Sequence, residues 1–207
     1  LSVYMTTKNY QAALESLEKV PHEDVQIKRA YQMIAYNLGV ELFHNNKLNE
    51  AIGMFRKAGK YPMDVEINAL RQYWIAECYY KQKDFKTAIT AYQDFVGLPG
   101  AFNTKYFQLA EYNEGYCWFQ LREYEKAAGA FRKFTDNYRD NQELETYYQD
   151  ALIRTGDVYY MLRENEKAIR YYAKAADNRM AGSDYAMFQK AKTYGFDQAF
   201  DDKIQEL

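Results

Sequence analysis

Few residues of this chain have the types and spacing for bond-making chemistry, and what remains points to binding. The two thiols, Cys78 and Cys117, sit in no C-x-x-C. The two imidazoles are His22, beside Pro21 in a turn, and His44, before Asn45 and Asn46. No second ligand accompanies either histidine, so no metal is expected. The stretch TDNYRDNQELE carries four carboxylates but lacks the glycine and spacing of a calcium loop, and a solvated helix start is expected there. No G-x-x-x-x-G-K, G-x-G-x-x-G or G-x-S-x-G is present, so neither a nucleotide cofactor nor an acyl-enzyme mechanism is expected. Rings placed beside amides and charges stand out instead: Tyr73 and Trp74 near Glu77, and Tyr112, Asn113 and Tyr116. Tyr and Trp offer a large apolar area with a polar tip at low entropic cost, which is the chemistry of a recognition surface.

The elements that position these rings follow from composition and periodicity. The 207 residues make one or two domains at roughly 150 residues each. Twenty-seven basic against 29 acidic residues leave a net charge of −2, with no excess to neutralise a nucleic-acid backbone or an anionic lipid surface. Neither nucleic acid nor membrane is expected as a partner. No run approaches the roughly 18 to 20 apolar residues that cross a bilayer, so this segment is not expected to insert. Leu1 opens no signal-peptide pattern and no initiator Met is present, and the chain is expected to be a segment of a longer one. Only ten Gly and three Pro are present, against 22 Tyr. Pro21, Pro62 and Pro99 each follow an apolar helical stretch, and no stretch alternates as a strand would. An all-helical fold is predicted.

Self-similarity decides the architecture. Ala13, Ala51, Ala88, Ala127 and Ala168 recur at intervals of 38, 37, 39 and 41 residues by subtraction. Each is followed four residues on by a bulky residue (Leu17, Phe55, Tyr92, Phe131, Tyr172) and three further by Val20, Ala58, Phe95, Phe134 or Ala175. That spacing places all three on one helical face. Twelve residues before the last four alanines stand Gly39, Ala76, Gly115 and Gly156, each followed three residues on by Leu42, Tyr79, Trp118 or Tyr159; the register assigns Tyr79, Trp118 and Tyr159 to the core. Each repeat is therefore a helix pair. A tiny residue on the first helix lets the second approach closely, and stacking the next pair covers the apolar face that one pair leaves open.

These residues resemble the tetratricopeptide repeat (TPR), and the resemblance covers nearly the whole chain. It implies a single right-handed α-solenoid over 1–207: a half repeat at 1–22, full repeats at about 31–63, 68–100, 107–140 and 148–180, and a partial repeat at 184–207. In that last unit Ala191, Tyr194, Phe200 and Leu207 fall in register, but Lys203 takes the place of the helix-B alanine. Caps at Asp64, at Asn103 or Thr104, and at Asn141 predict first helices lengthened by about a turn. The long aromatic-rich repeats, with a closing run such as AAGAFRKFTDNY, are similar to TPRs of Gram-negative envelope proteins. Examples are the assembly lipoprotein of the β-barrel insertion machinery and the periplasmic partner of the Tol-Pal system. The resemblance implies a bacterial protein of the cell envelope or periplasm, with the cytoplasm as the other reading.

In TPR solenoids the first helices line a concave groove that takes partner segments, and this resemblance implies a groove here. Projection from the small residue places Tyr36, Asn37 and Phe43 in it, with Met33 and Val40; then Tyr73, Trp74, Glu77 and Tyr80, with Leu70; then Tyr112, Asn113, Tyr116 and Phe119, with Leu109. The fourth repeat contributes Arg154 and Asp157, with Asp150, Ile153 and Tyr160, turning the face polar. The competing reading packs these aromatics against the neighbouring pair, and the sequence leaves both open. The carboxylate clamp of some TPRs is not expected: Asn113 and Arg154 match it, whereas Tyr73, Glu77 and Asp150 stand where it needs cationic or amide groups. Cys78 and Cys117 share a register, but first helices about 8 to 10 Å apart exceed the roughly 7 Å Cα separation a disulfide spans, so buried free thiols are expected. The function predicted is a non-enzymatic protein-protein interaction scaffold binding a protein or peptide in the groove. Two alternatives stand beside it. One is a carbohydrate-binding module using the groove aromatics with Glu77, Asn113 and Asp157; the other is a structural domain that self-associates through its solenoid ends, where Phe196, Phe200, Ile204 and Leu207 would expose an apolar edge.

Overall fold

The computed structural model describes residues 9–21, 23–139 and 142–205, with side chains as far as 195. His22, Asn141 and Leu207, and the side chains of Phe196, Phe200, Lys203 and Ile204, lie outside the described residues. Among those described there are ten α-helices and no strand: α1 (Tyr10–Leu17), α2 (Val25–His44), α3 (Leu48–Ala58), α4 (Val65–Lys81), α5 (Phe85–Val96), α6 (Tyr106–Gln120), α7 (Tyr124–Asn137), α8 (Glu145–Met161), α9 (Asn165–Asp177) and α10 (Ser183–Gln205). The all-helical expectation therefore holds. None of the described helices is long and apolar enough to cross a membrane.

The chain divides into two compact units, Leu1–Ala110 and Glu111–Leu207. In the first, α1 packs on α2, α2 on α3 and α4, α3 on α4, and α4 on α5. In the second, α7 packs on α8, α8 on α9, and α9 on α10. The first helices of successive pairs run 20, 17, 15 and 17 residues, and the second helices 11, 12, 14 and 13. Asp64 caps α4 by accepting from the backbone N–H of Glu66 (2.9 Å) and Ile67 (3.0 Å). Thr104 behaves differently: its hydroxyl donates to Ala101 O at 2.7 Å, closing the 3-10 turn Ala101–Asn103 ahead of α6.

Each pair closes through a three-residue turn whose second residue is left-handed: Asn46 (φ 60°), Lys83 (62°), Arg122 (60°) and Arg163 (59°). The next N–H returns to the carbonyl five residues back, as in Lys47 to Leu42 (2.9 Å) and Glu164 to Tyr159 (2.9 Å), which satisfies carbonyls the helix end would leave open. No glycine marks these turns in the sequence. Buried glutamines add ties, Gln32 to the next pair and Gln149 within its own. Gln32 donates to Asp64 O (3.0 Å) and accepts from Asp64 N–H (2.7 Å) in the first unit. Gln149 donates to Ala175 O (2.8 Å) and accepts from Asn178 (2.9 Å) in the second. Each amide completes backbone or side-chain bonds that burial would otherwise orphan.

The tiny residue of each first helix seats the bulky residue of the second. A Cβ on Gly39 would meet the Phe55 ring at 2.6 Å, on Gly115 the Phe131 ring at 2.6 Å, and on Gly156 the Tyr172 ring at 2.6 Å. Phe55, Tyr92, Phe131 and Tyr172 are all fully buried, as are the repeat alanines Ala51, Ala88, Ala127 and Ala168. Of the three residues assigned to the core by register, Tyr159 is buried, but Tyr79 and Trp118 are half-buried. Both rings meet a cation at the surface: Arg56 donates to the Tyr79 hydroxyl (3.1 Å), and Lys126 lies over the Trp118 ring (4.5 Å). Large amphipathic rings keep their polar edge where a partner or water can reach it.

Candidate functional site

In the first unit the predicted groove residues gather around Trp74. Its indole N–H donates to the Tyr36 hydroxyl at 3.0 Å, and its ring meets Phe43 (4.9 Å), Tyr73 (5.6 Å), Tyr106 (5.7 Å) and exposed His44 (6.1 Å). Edge-to-face arrangements dominate, as ring quadrupoles prefer. Tyr73 itself is core, 5% exposed, stacked on Tyr106 (4.4 Å) and set against Phe95 (5.5 Å). Phe43 is buried too, with Lys81 4.3 Å over its ring. Burial pushes the Tyr36 phenol up to about 12, although its bond to Trp74 opposes this. Trp74, Tyr36, Asn37, Glu77 and Tyr80 are half-buried, so this face keeps partial access at five predicted positions. Tyr80 closes against Phe85 (5.7 Å).

In the second unit the predicted residues form a charged network. Asp150 accepts from the hydroxyls of Tyr112 (2.8 Å) and Tyr116 and pairs with Arg154 Nε at 3.3 Å. Arg154 Nη1 reaches Asp157 at 2.6 Å, and Asp157 also accepts from Tyr172 (2.8 Å) and Tyr185 (2.9 Å). One guanidinium thus bridges two carboxylates, and four phenols fill most of the remaining acceptor sites. Burial raises the Asp157 carboxyl, although its bonds from Tyr172 and Tyr185 and the Arg154 charge oppose this. Burial raises Tyr116 to about 12, and Asp150 adds to the shift; it raises Tyr112 and Tyr172 as well. Burial alone would lower Arg154, but Tyr116, Asp150 and Asp157 outweigh it and raise it. Asn113 and Phe119 are half-buried, and Phe119 faces Tyr124 at 5.9 Å, in the register of Tyr80 and Phe85.

Two carboxylates of the predicted site are thereby committed to the fold. Tyr92 donates to Glu77 at 2.6 Å in the first unit, as Tyr172 does to Asp157 in the second, across the same interval of 15 residues. The sequence holds a signal for this. Where the bulky second-helix residue is Tyr, an acid follows the tiny residue (Ala76-Glu77, Gly156-Asp157); where it is Phe, Val40 or Tyr116 does. Tyr106 and Tyr185 also belong to these clusters, and with Tyr147 they recur at intervals of 41 and 38 residues by subtraction, a repeat-length signal that the groove projection did not use. Cys78 and Cys117 are free and buried, and burial pushes the Cys78 thiol up to about 12. Among the described residues no group of three His, Cys, Asp or Glu is placed to hold a metal ion.

The sequence model of the tetratricopeptide repeat family matches residues 72–98, 109–141 and 150–179. No curated protein matches the sequence. Among solved structures, MamA is similar at 19% identity, with 91% of this chain and 95% of that one covered and a TM-score of 0.60. YrrB, described as a TPR protein with an unusual peptide-binding site, is similar at 20% identity over 86% of this chain and 82% of that one, with a TM-score of 0.59. BtubC from P. vanneervenii is similar at 14% identity over 94% and 84%, with a TM-score of 0.65. Likeness at this level establishes a shared fold, and that fold is the stacked-hairpin TPR solenoid.

Proposed function

Because the chain is built of tetratricopeptide repeats, a fold that serves generally as a non-catalytic protein-interaction scaffold, we propose that it holds a partner protein or peptide segment on the concave, first-helix face of its hairpins. One observation carries this reading: Trp74 is held by Tyr36, Phe43, Tyr73 and Tyr106 yet stays half-open against exposed His44. A ring already fixed in one orientation loses little entropy on binding, and pre-ordered aromatics are the usual anchors of interfaces. The peptide-binding site named for YrrB belongs to that protein; it makes a peptide segment the first ligand class to test here.

A sugar-binding site is less well supported by the side-chain geometry, since Glu77 and Asp157 already accept from Tyr92 and Tyr172. We place the protein in the bacterial envelope as part of the same proposal, and cell fractionation tests that location. The binding test is affinity capture with the wild type and with a Trp74→Ala, Asn37→Ala variant whose circular dichroism matches the wild type. Retention of a discrete partner by the wild type alone supports the groove. Equal retention by both overturns it.

A further inference from the structure

We propose that a cavity in the second unit, walled by α7, α8 and α9, is a binding site for a phosphate-class oxyanion. The cavity measures about 210 Å³ and is lined by Arg132 of α7, Tyr159 of α8, and Lys167, Arg170, Tyr171 and Lys174 of α9. The last four stand at i, i+3, i+4 and i+7, so one face of α9 supplies them. Tyr159 leaves α8 two residues after Asp157, about 200° around the helix, which sets this cavity apart from the Asp150-Arg154-Asp157 network.

Four cations converge here in a chain whose net charge is −2. Lys167 is paired with Glu164 and lies 5.2 Å over Tyr159, and Lys174 lies 5.3 Å over Tyr171. The two rings stack at 5.7 Å with 27° between their planes. Both lysines are thus steered by aromatic faces. Arg132 and Arg170 form no ion pair among the described residues, and Glu166, one turn before Arg170, does not pair with it. Among the described residues Asp136 also acts on Tyr171, against Arg132 and Arg170.

The repeat register sharpens the argument. The positions of Arg170 and Tyr171 hold Gly53 and Met54, Thr90 and Ala91, and Gly129 and Ala130 in the three earlier pairs. Packing of the hairpin is met by small or flexible residues there, so the repeat does not require the guanidinium and the ring found in the fourth pair. Two unpaired guanidinium forks from separate helices, with Lys174 beside them, suit an anion whose oxygens point in several directions. A tetrahedral dianion can engage both forks at once, whereas a planar carboxylate saturates one. The volume admits one such group with water around it.

The test is a titration of the whole chain with inorganic phosphate at constant ionic strength, followed by backbone amide shifts in ¹H-¹⁵N spectra. Saturable shifts confined to residue 132 and residues 159–174 are expected, with at least roughly tenfold weaker binding in an Arg132→Gln, Arg170→Gln variant, the loss of charge-assisted hydrogen bonds. Both arginines are exposed, so the variant should melt like the wild type. A phosphoserine peptide run in parallel distinguishes the sources. Tighter binding than phosphate assigns the site to a phosphorylated partner segment, and equal binding assigns it to the free anion. Shifts that never saturate, that scatter over surface lysines, or that persist undiminished in the variant overturn the proposal.

Discussion

Tyr172 lies with its ring against Gly156 and its hydroxyl 2.8 Å from Asp157, so one second-helix side chain reads two consecutive residues of the first helix. Tyr92 repeats the polar half of this on Glu77, whereas Phe55 makes only the apolar half, beside Val40. Adding a hydroxyl at fully buried Phe55 should therefore leave it without a carboxylate acceptor. Phe55→Tyr is expected to destabilise by about 1–3 kcal/mol, the cost of a buried unpaired polar group. Adding Val40→Glu in the same chain should recover most of that loss. A thermal or urea double-mutant cycle measures the coupling, and additive losses would show that the acid-tyrosine pairing is incidental.

The left-handed turn residues predict stabilisation by glycine. Lys83 and Arg163 hold φ of 62° and 59°, which strains a side chain, while glycine adopts it freely. Lys83→Gly or Arg163→Gly should raise unfolding free energy by about 0.5–1 kcal/mol, after the entropic cost of glycine in the unfolded chain. Gly100 gives the opposite case. At φ 87°, its Cβ would lie 2.8 Å from Val65 O, so Gly100→Ala should destabilise by more than about 1 kcal/mol. Urea midpoints at constant m-value check both directions.

Breaking the charged bridge should cost more at neutral than at acid pH. Arg154→Met leaves buried Asp157 with phenol donors but no cation, and a loss of about 2 kcal/mol is expected at pH 7, below that of a fully buried pair because Arg154 is about one-third exposed. Asp157 already has a raised carboxyl. Without Arg154 its proton should bind at still higher pH, and the neutral acid needs no cationic partner. The deficit should shrink as the pH falls into the acid range, which stability measurements at pH 7 and pH 5 would show. A pH-independent deficit would contradict the role given to the Arg154 charge.

Alkali should unfold the protein cooperatively. Tyr31, Tyr36 and Tyr116 have folded values of about 12 against an ordinary 10, because burial disfavours the phenolate. Above pH 10 the unfolded chain releases these protons first, so it binds fewer protons than the native state and stability falls as pH rises. Their contribution is complete below pH 10 and disappears through pH 12. Phenolate absorbance should rise in step with loss of helical circular dichroism, rather than ahead of it.

Much of this fold is legible in the sequence because its packing is periodic. Gly39, Gly115 and Gly156 recur because the second-helix ring occupies the space of their Cβ, so sterics writes the register directly into residue types. The turns are less legible: Asn46 has a propensity for the left-handed conformation, but Lys83, Arg122 and Arg163 adopt it without one. Within the candidate site, the sequence marks where Tyr73, Trp74 and Asp157 stand on their helices but not how deep. Depth is set by long-range partners such as Tyr106 and Tyr185, which stand at the starts of later first helices, and these bury Tyr73 and draw Asp157 into an internal network.

The central claim, that partners bind on the first-helix face, is tested most directly by site-specific photocrosslinking in the cells that make the protein. A photoreactive residue replaces Asn37 or Asn113 on the first-helix face, or exposed Thr90 or Glu125 on second helices. Discrete crosslinked partners from positions 37 and 113, with none from 90 and 125, are the result expected. Crosslinks from 90 or 125 with none from 37 and 113 would contradict the claim.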